Sequence, residues 1–572
     1  MPTERAAAPA APQSPTCPRL DRAAIACTIL DLEQARRERG TSIRSFAAQT
    51  QQPRSTLQDQ LRAAHDDGMP RAWQPFFESD GGLAFTLRLM VVLLVILVLR
   101  GGCSVERVAE CFEAMHLRRY VASSPTTLRR VFAQVLAHVG AWERQQFERL
   151  APDMPRRDVV LAVDENFHWD KILLGLMDVV SGFVFGERMS DTRDGATWEA
   201  AVHQSLEGYD VCLRAITRDG ARAFDTCAAG LEVPAGPDVF HLQHALCKTT
   251  ARPMAHRERR AQVAVQQRRQ ELAAVRDARE LARVTPRGPG RPIKWEARDA
   301  AATHALREAE QHAATMKAER EAMTASIREL GDAYHPVDLA TGEAVSAEEA
   351  RERLQEAAEE LCAQAARASL GGRVIRALNG LFVQLDGLAA MVAWWHREVH
   401  RQVASLSLPA ADGAWVERAL VPALYIQRRI GLARDAAERA SLRALWARLR
   451  AELQSTTSPW QGWEAERQRR VLAVVQVCVL LFPRSTSALE GHNGQDSLCQ
   501  HQRHTLSDAF RTARLVVRNY VITRADGTTA AERLFGRKPG NLIEYLCQRI
   551  KLPGRGRLGN RRPKPPLLAL TG

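Results

Sequence analysis

Two aspartates open the chemical question. Asp164 closes the apolar, β-branched run of VVLAVDENFHWD, and Asp219 closes that of VCLRAITRDGA. A lone Asp at a strand end is most often a turn or cap residue. Two of them, each ending a strand of one short α/β stretch, shift that balance. If the strands are parallel neighbours, both carboxylates reach the crevice at the carboxyl ends of the sheet, and they repel each other unless a cation lies between them. Hard oxygen donors suit Mg2+ or Mn2+. Two such ions about 4 Å apart serve in-line phosphoryl transfer and call for a third carboxylate. Far downstream, RSTSALEGHNGQDSLCQH offers Glu490, with Asn493 three residues on and so on the same helix face. Ser487 and Glu490 also have the S-x-x-E spacing of a capping box, and on spacing alone either reading stands. Asn493, Asp238 and His241 are the residues expected just behind the acids. Asp238 is in addition a substitute ligand. His241, like His244 after it, fits a satisfied structural histidine better than a DNA contact.

These acids need a sheet to carry them. Over 156–248 the pattern is strand-like: DVVLAVDEN is a buried strand, KILLGLMDVVSGFVFGERM a hairpin turning at Ser181-Gly182, VCLRAITRDGA a strand, and DVFHLQHALCKT a strand running into a helix. WEAAVHQSL between them is helical. Upstream, TILDLEQARRER, SIRSFAAQT and QQPRSTLQDQLRAA read as three short helices with Pro53 near the start of the last, the outline of a helix-turn-helix. That outline puts Arg54, Ser55, Thr56 and Gln58 at the start of a recognition helix, in reach of phosphates and base edges. A small three-helix bundle of another purpose has the same outline. A second pair, SVERVAECFEAM and SPTTLRRVFAQVLAHV, opens each helix with a serine cap and sets Arg129 and Arg130 toward solvent.

The composition agrees with a polyanionic partner. Lys and Arg total 79 against 66 Asp and Glu, a formal net charge of +13 over 572 residues. The 11 cysteines include no CxxC pair, which argues against a zinc site and for reduced thiols. The most apolar run, LAFTLRLMVVLLVILVLRGG, has eleven uninterrupted residues between Arg88 and Arg100. A bilayer span needs about 20, so a buried core helix is expected.

The motifs LAVDEN, ITRDGARAF, DVFHLQHAL and SALEGHNGQDSL, closed by RNYVITRADGTTAAERLFGRKPGNLIEYL, resemble those of the DDE-type transposases of bacterial mobile elements. The resemblance covers roughly 156–248 and 485–550. It implies a multidomain α and α/β protein: a disordered N-terminus (1–19), a helical DNA-binding region with helix-turn-helix modules (20–150), and a ribonuclease-H-like core in two parts (156–248 and 481–550). A large helical insertion with a coiled-coil hairpin (249–480) separates those parts, and a basic tail (551–572) ends the chain. The hairpin tip falls at TPRGPGRPIKW, where Gly290-Arg291-Pro292 suits a helix connector better than a minor-groove hook. The resemblance further implies Asp164, Asp219 and Glu490 as catalytic metal ligands, two Mg2+ (or Mn2+) ions, and double-stranded DNA as partner at element ends and target. A homo-oligomer on DNA, in the bacterial cytoplasm and nucleoid and without membrane attachment, completes the expectation. Two other functions share these features: a non-catalytic DNA-binding derivative, and a metal-dependent nuclease without strand transfer.

Overall fold

The computed structural model describes residues 22–65, 69–168, 171–285, 291–433, 435–482, 489, 491, 493–494, 507–524 and 526–555. Glu490, the 1–19 stretch, the hairpin tip 286–290 and the tail beyond 555 lie outside the described residues. The chain is mostly helical with one five-stranded mixed sheet. It divides into two compact units: Met1–Pro152 with Leu498–Thr529 and Lys538–Gly572, and Asp153–Ser497 with Ala530–Arg537.

In the first unit, α1 (Arg22–Arg39), α2 (Ile43–Thr50) and α3 (Arg54–His65) share a small core of Leu32, Ala35, Phe46, Ala47 and Leu57. Ser42 stops the chain ahead of α2 by accepting the Ser45 N–H at 3.1 Å, and Gln51 ends that helix in the left-handed region (φ 54°). The break before α3 is therefore three residues, Gln51–Pro53. The apolar run continues α4 (Gln74–Glu78) and α5 (Asp80–Leu93) into wider turns as far as Arg100, with Met90, Val91, Leu94, Val95, Val98 and Leu99 fully buried. That helix and Gly372–Ala404 are long and apolar enough, by length and composition, to cross a membrane. Each also buries a face inside its own unit.

The serine caps behave differently in the second helix pair. Ser124 caps α7 (Pro125–Leu150) through the Thr127 N–H at 3.3 Å, but Ser104 makes no such bond to α6 (Val105–Ala114). α7 is the spine of the unit. Trp142 meets Tyr520 edge-on at 5.3 Å, Phe132 meets Phe510 at 6.1 Å, and Gln146 accepts the Gly540 N–H at 2.8 Å. Of the segment that the resemblance groups with the sheet, residues 507–529 and 538–550 thus pack on the N-terminal helices, because their large apolar side chains find partners there.

The second unit is built on a sheet of order β3-β2-β1-β4-β5: β1 Arg157–His168, β2 Lys171–Asp178, β3 Val184–Ser190, β4 Val211–Arg218 and β5 Ala235–Pro237. β1, β2 and β3 form an antiparallel meander, with Gly182 (φ 73°) in its second turn, while β4 and β5 add in parallel beyond β1. The unbroken VVLAV of β1 reflects burial on both faces. Leu161, Val163 and Ile216 face α8 (Gly195–Leu206) and α9 (Arg222–Gly230), where Trp198 and Phe224 fill the layer. Val160 and Ala215 face the other way, into the large core of the helical region.

That region holds α10 (Val239–Thr249), α11 (Ala251–Val284), α12 (Trp295–Ala333), α13 (Ala347–Arg367), α14 (Gly372–Ala404), α15 (Ala410–Trp415), α16 (Val421–Leu432), α17 (Ala436–Leu453) and α18 (Ala465–Leu481). Among the described residues it adds no strand to the sheet, only an isolated bridge between Val337 and Ala344. α11 and α12 form the expected antiparallel hairpin, laced by Arg269–Glu310 and Arg276–Asp299 at 2.9 Å each. The helices do not merely stand off the sheet. α14 presses on β5 where side chains are smallest: a Cβ on Gly236 would sit 2.7 Å from Met391 Cγ, and one on Gly387 3.5 Å from Pro237. An eight-residue return, Ala530–Arg537, closes the far side. Phe535 meets Phe183 at 5.9 Å, Arg533 donates to the Ser181 carbonyl at 2.8 Å, and Arg157 donates to the Leu534 carbonyl at 3.0 Å.

Candidate active site

β1 outlasts its parallel neighbour. It pairs with β2 as far as His168↔Lys171, but with β4 only as far as Ala162↔Thr217. Asp164 is therefore not at the end of its strand, as the sequence suggests. It stands two residues past the last parallel pair, and so does Asp219. The register makes the two acids level on neighbouring strands, whose backbones run about 4.8 Å apart in a sheet. β4 and β5 pair Arg218 with Pro237, and the Asp238 N–H donates to the Arg218 carbonyl at 2.8 Å. Asp238 is then level with Asp219 in turn. Three aspartates form a row where the parallel pairing stops.

Their local bonds separate them. The Asp238 carboxylate is buried and accepts the His241 N–H at 3.0 Å, so it caps α10. His241 enters this arrangement through its backbone, and His244 stacks on Phe240 at 6.2 Å. Asp219 accepts the Ala221 N–H on Oδ1 at 2.9 Å, which leaves Oδ2 without a partner among the described residues. The turn reading and the ligand reading are thus compatible at Asp219. In Asp164, Oδ1 accepts the Glu165 N–H at 2.9 Å and Oδ2 accepts Asn493 Nδ2 at 2.7 Å.

The Asn493 bond reaches across 329 positions of sequence. Strand alternation puts Val160, Ala162 and Asp164 on one face, the one turned toward the helical region. Gly175, directly opposite Asp164 on β2, provides the room: a Cβ there would lie 3.4 Å from Leu489 Cδ1. Leu489 is fully buried, and Leu489 and Asn493, four apart in helical backbone, share a face. The residues on either side of Glu490 are therefore docked beside Asp164.

The opposite face of β1 carries a cluster that sequence reading missed. Glu165 accepts Arg193 Nη1 on Oε2 at 2.8 Å, and its Oε1 is buried without a partner among the described residues. The Arg193 guanidinium lies 5.6 Å from the centre of the Phe167 ring. Hydrogen bonding to Glu165, then that residue's charge, raises the Arg193 pKa, and Asp219 adds a smaller push. The only signal in the sequence was the doublet Asp164-Glu165; nothing local links it to Arg193.

The donors fit a hard divalent cation in type and in level. Asp164 and Asp219 are carboxylates level on neighbouring strands, and Asp219 has an oxygen unclaimed among the described residues. Among the described residues no three His, Cys, Asp or Glu side chains gather as a ready metal cluster.

In the first unit, Arg54, Ser55 and Thr56 are exposed on the opening turn of α3 and Gln58 is half-buried. Arg130 is exposed, whereas Arg129 is paired with Glu106.

No curated protein matches the chain. Residues 416–562, about a quarter of the length and including Glu490 and Asn493, match a family of unknown function, DUF6399.

Proposed function

We propose that this protein is a DNA transposase, or a derivative of one, that performs metal-dependent DNA strand cleavage and strand transfer through Asp164, Asp219 and Glu490. One observation carries the reading: Asp164 and Asp219 are level on parallel neighbours, and Asn493 bonds to Asp164 from the far end of the chain. A meander β1–β3 continued in parallel by β4 and β5 is also the layout of a ribonuclease-H-like core, which supports it.

Asp164 and Asp219 would hold the Mg2+ ions, with Glu490 as the third ligand. Bound there, the pair of ions supplies an activated water or 3′-hydroxyl and stabilises the leaving oxygen. The chain's own part is positioning. The Glu165 N–H and Asn493 Nδ2 each fix one oxygen of Asp164, and hydrogen bonds to a carboxylate favour its charged form. Asp238 fixes the start of α10 beside them. Neither a serine nor a tyrosine nucleophile is required. The DNA partner is read from the three-helix cluster and its exposed Arg54, Ser55 and Thr56, and the net charge of +13 agrees with it.

The test is Asp164→Asn assayed with Mg2+ on plasmid DNA carrying the flanks of the reading frame. Loss of a metal-ligand charge worth several kcal/mol predicts a fall of about a hundredfold or more. Cleavage at the parent rate would refute the reading. Cut but unjoined products from the parent would reduce it to a nuclease.

A further inference from the structure

The rim of the site on the α8 side holds an arrangement that the acids do not require. Phe167 is 59% exposed, in a strand whose preceding apolar residues are all buried. Arg193 lies over that ring and is 56% exposed, yet it is not loose, because Glu165 holds it at 2.8 Å. Glu165 in turn is 8% exposed, with one oxygen buried and unpartnered among the described residues. Desolvating a carboxylate is costly, and little stability returns from a pair whose other half faces water. What the arrangement does secure is a guanidinium fixed in one place, 5.6 Å from the centre of an exposed aromatic ring.

We infer that Phe167 and Arg193 form a contact site for an unpaired nucleotide of the DNA strand at the acid row, the ring stacking on the base and the guanidinium taking a neighbouring phosphate. The inference rests on the function proposed above and names the form of its substrate. A base inside a duplex has both faces covered and cannot stack on a side chain; one freed from the helix can, whatever its identity. Arg is suited to the second role, since its planar fork binds phosphate with two donors while stacking on an aromatic. The charge of Asp219 acts on Arg193, though less than that of Glu165, and relates this rim to the acid row. Lys171, on β2, is already paired with Asp191.

The experiment uses the full-length chain with Asp164→Asn to prevent cutting. Binding is titrated against duplex flank DNA, and against the same duplex with a short unpaired run at the cut position that contains 2-aminopurine. Phe167→Ala is expected to weaken the opened substrate by about five- to tenfold, the lower end of base–aromatic stacking. It should abolish 2-aminopurine quenching and leave duplex affinity unchanged. Phe167→Trp should keep the quenching, which excludes misfolding. Arg193→Ala should lower the salt slope by about one counterion. Quenching that survives Phe167→Ala, or equal weakening on both DNAs, would overturn the inference. These outcomes separate from the catalytic reading: if Asp164→Asn still cuts, that reading fails whatever Phe167 does, and if it is inactive while Phe167→Ala binds opened DNA like the parent, only this inference fails.

Discussion

Single side chains here are set by the partners the fold gives them. Asp164 and Asp219 were legible because an acid ending an apolar run is a local signal. Arg193 was not, because its link to Glu165 exists only once β1 and the start of α8 are brought together. Asp178 shows a different role for a strand-end acid. It is fully enclosed at the end of β2, accepts Val160 N at 3.3 Å and both Ser181 donors, and burial raises its pKa against those bonds. Glu143 on α7 has no such hydrogen bonds among the described residues, and burial, opposed only by the charge of Arg144, pushes its carboxyl to about 7. Its unfolded value is near 4.3. The folded state therefore holds the extra proton between those values, and stability falls as pH rises from about 4.5 to 7, then levels off. Glu143→Gln removes the group that must ionise. It should raise the unfolding free energy near pH 8 by up to about 3 kcal/mol and by much less near pH 4.5. Denaturant titrations at the two pH values measure this; equal effects at both would mean Glu143 is not strained by ionisation.

At the scale of elements, the approach of Leu489 and Asn493 to the sheet depends on Gly175. An alanine Cβ at 3.4 Å from Leu489 makes ordinary contact, so Gly175→Ala should leave cleavage and melting close to the parent. Gly175→Val drives two more methyls into Leu489, an overpacking that costs about 1–3 kcal/mol. It should separate Asn493 from Asp164, so cleavage should fall much further than helix content or melting temperature. A valine variant that cuts normally would show that Leu489 and Asn493 are not held there. The α11–α12 hairpin was legible because charge and alanine repeat at helical spacing over many turns. The length of β1 was not, since its last residues are strand only through their pairing with β2. Nor was the seat of α14 on β5: Gly236 and Gly387 mark it, but a glycine does not announce which helix comes close.

For the whole molecule, the two compact units divide the chain differently from the domains that the resemblance implies. Residues 498–529 and 538–555 rejoin the first unit while 530–537 belongs to the second, because Phe510 and Tyr520 meet α7 and Phe535 meets Phe183. Duplex binding and cutting should nonetheless come apart by mutation, since the proposed helix-turn-helix contacts lie in one unit and the acids in the other. Arg54→Ala should weaken DNA binding and lower its salt slope by about 0.9 if it meets one phosphate. Asp164→Asn should leave both near the parent. Titrations at several salt concentrations decide it, and an unchanged slope would remove Arg54 from the interface. The bond between Asp164 and Asn493 has a last consequence, in time. Ribosomes add about 5–20 residues per second, so the 329 positions between them take roughly 15 to 65 s to synthesise. For most of that interval a nascent chain carries both strand aspartates before Asn493 exists to bond Asp164. The proposed cutting site is complete only once Glu490 and Asn493 have been made, and on that reading a chain ended by a stop codon before them leaves its own gene uncut.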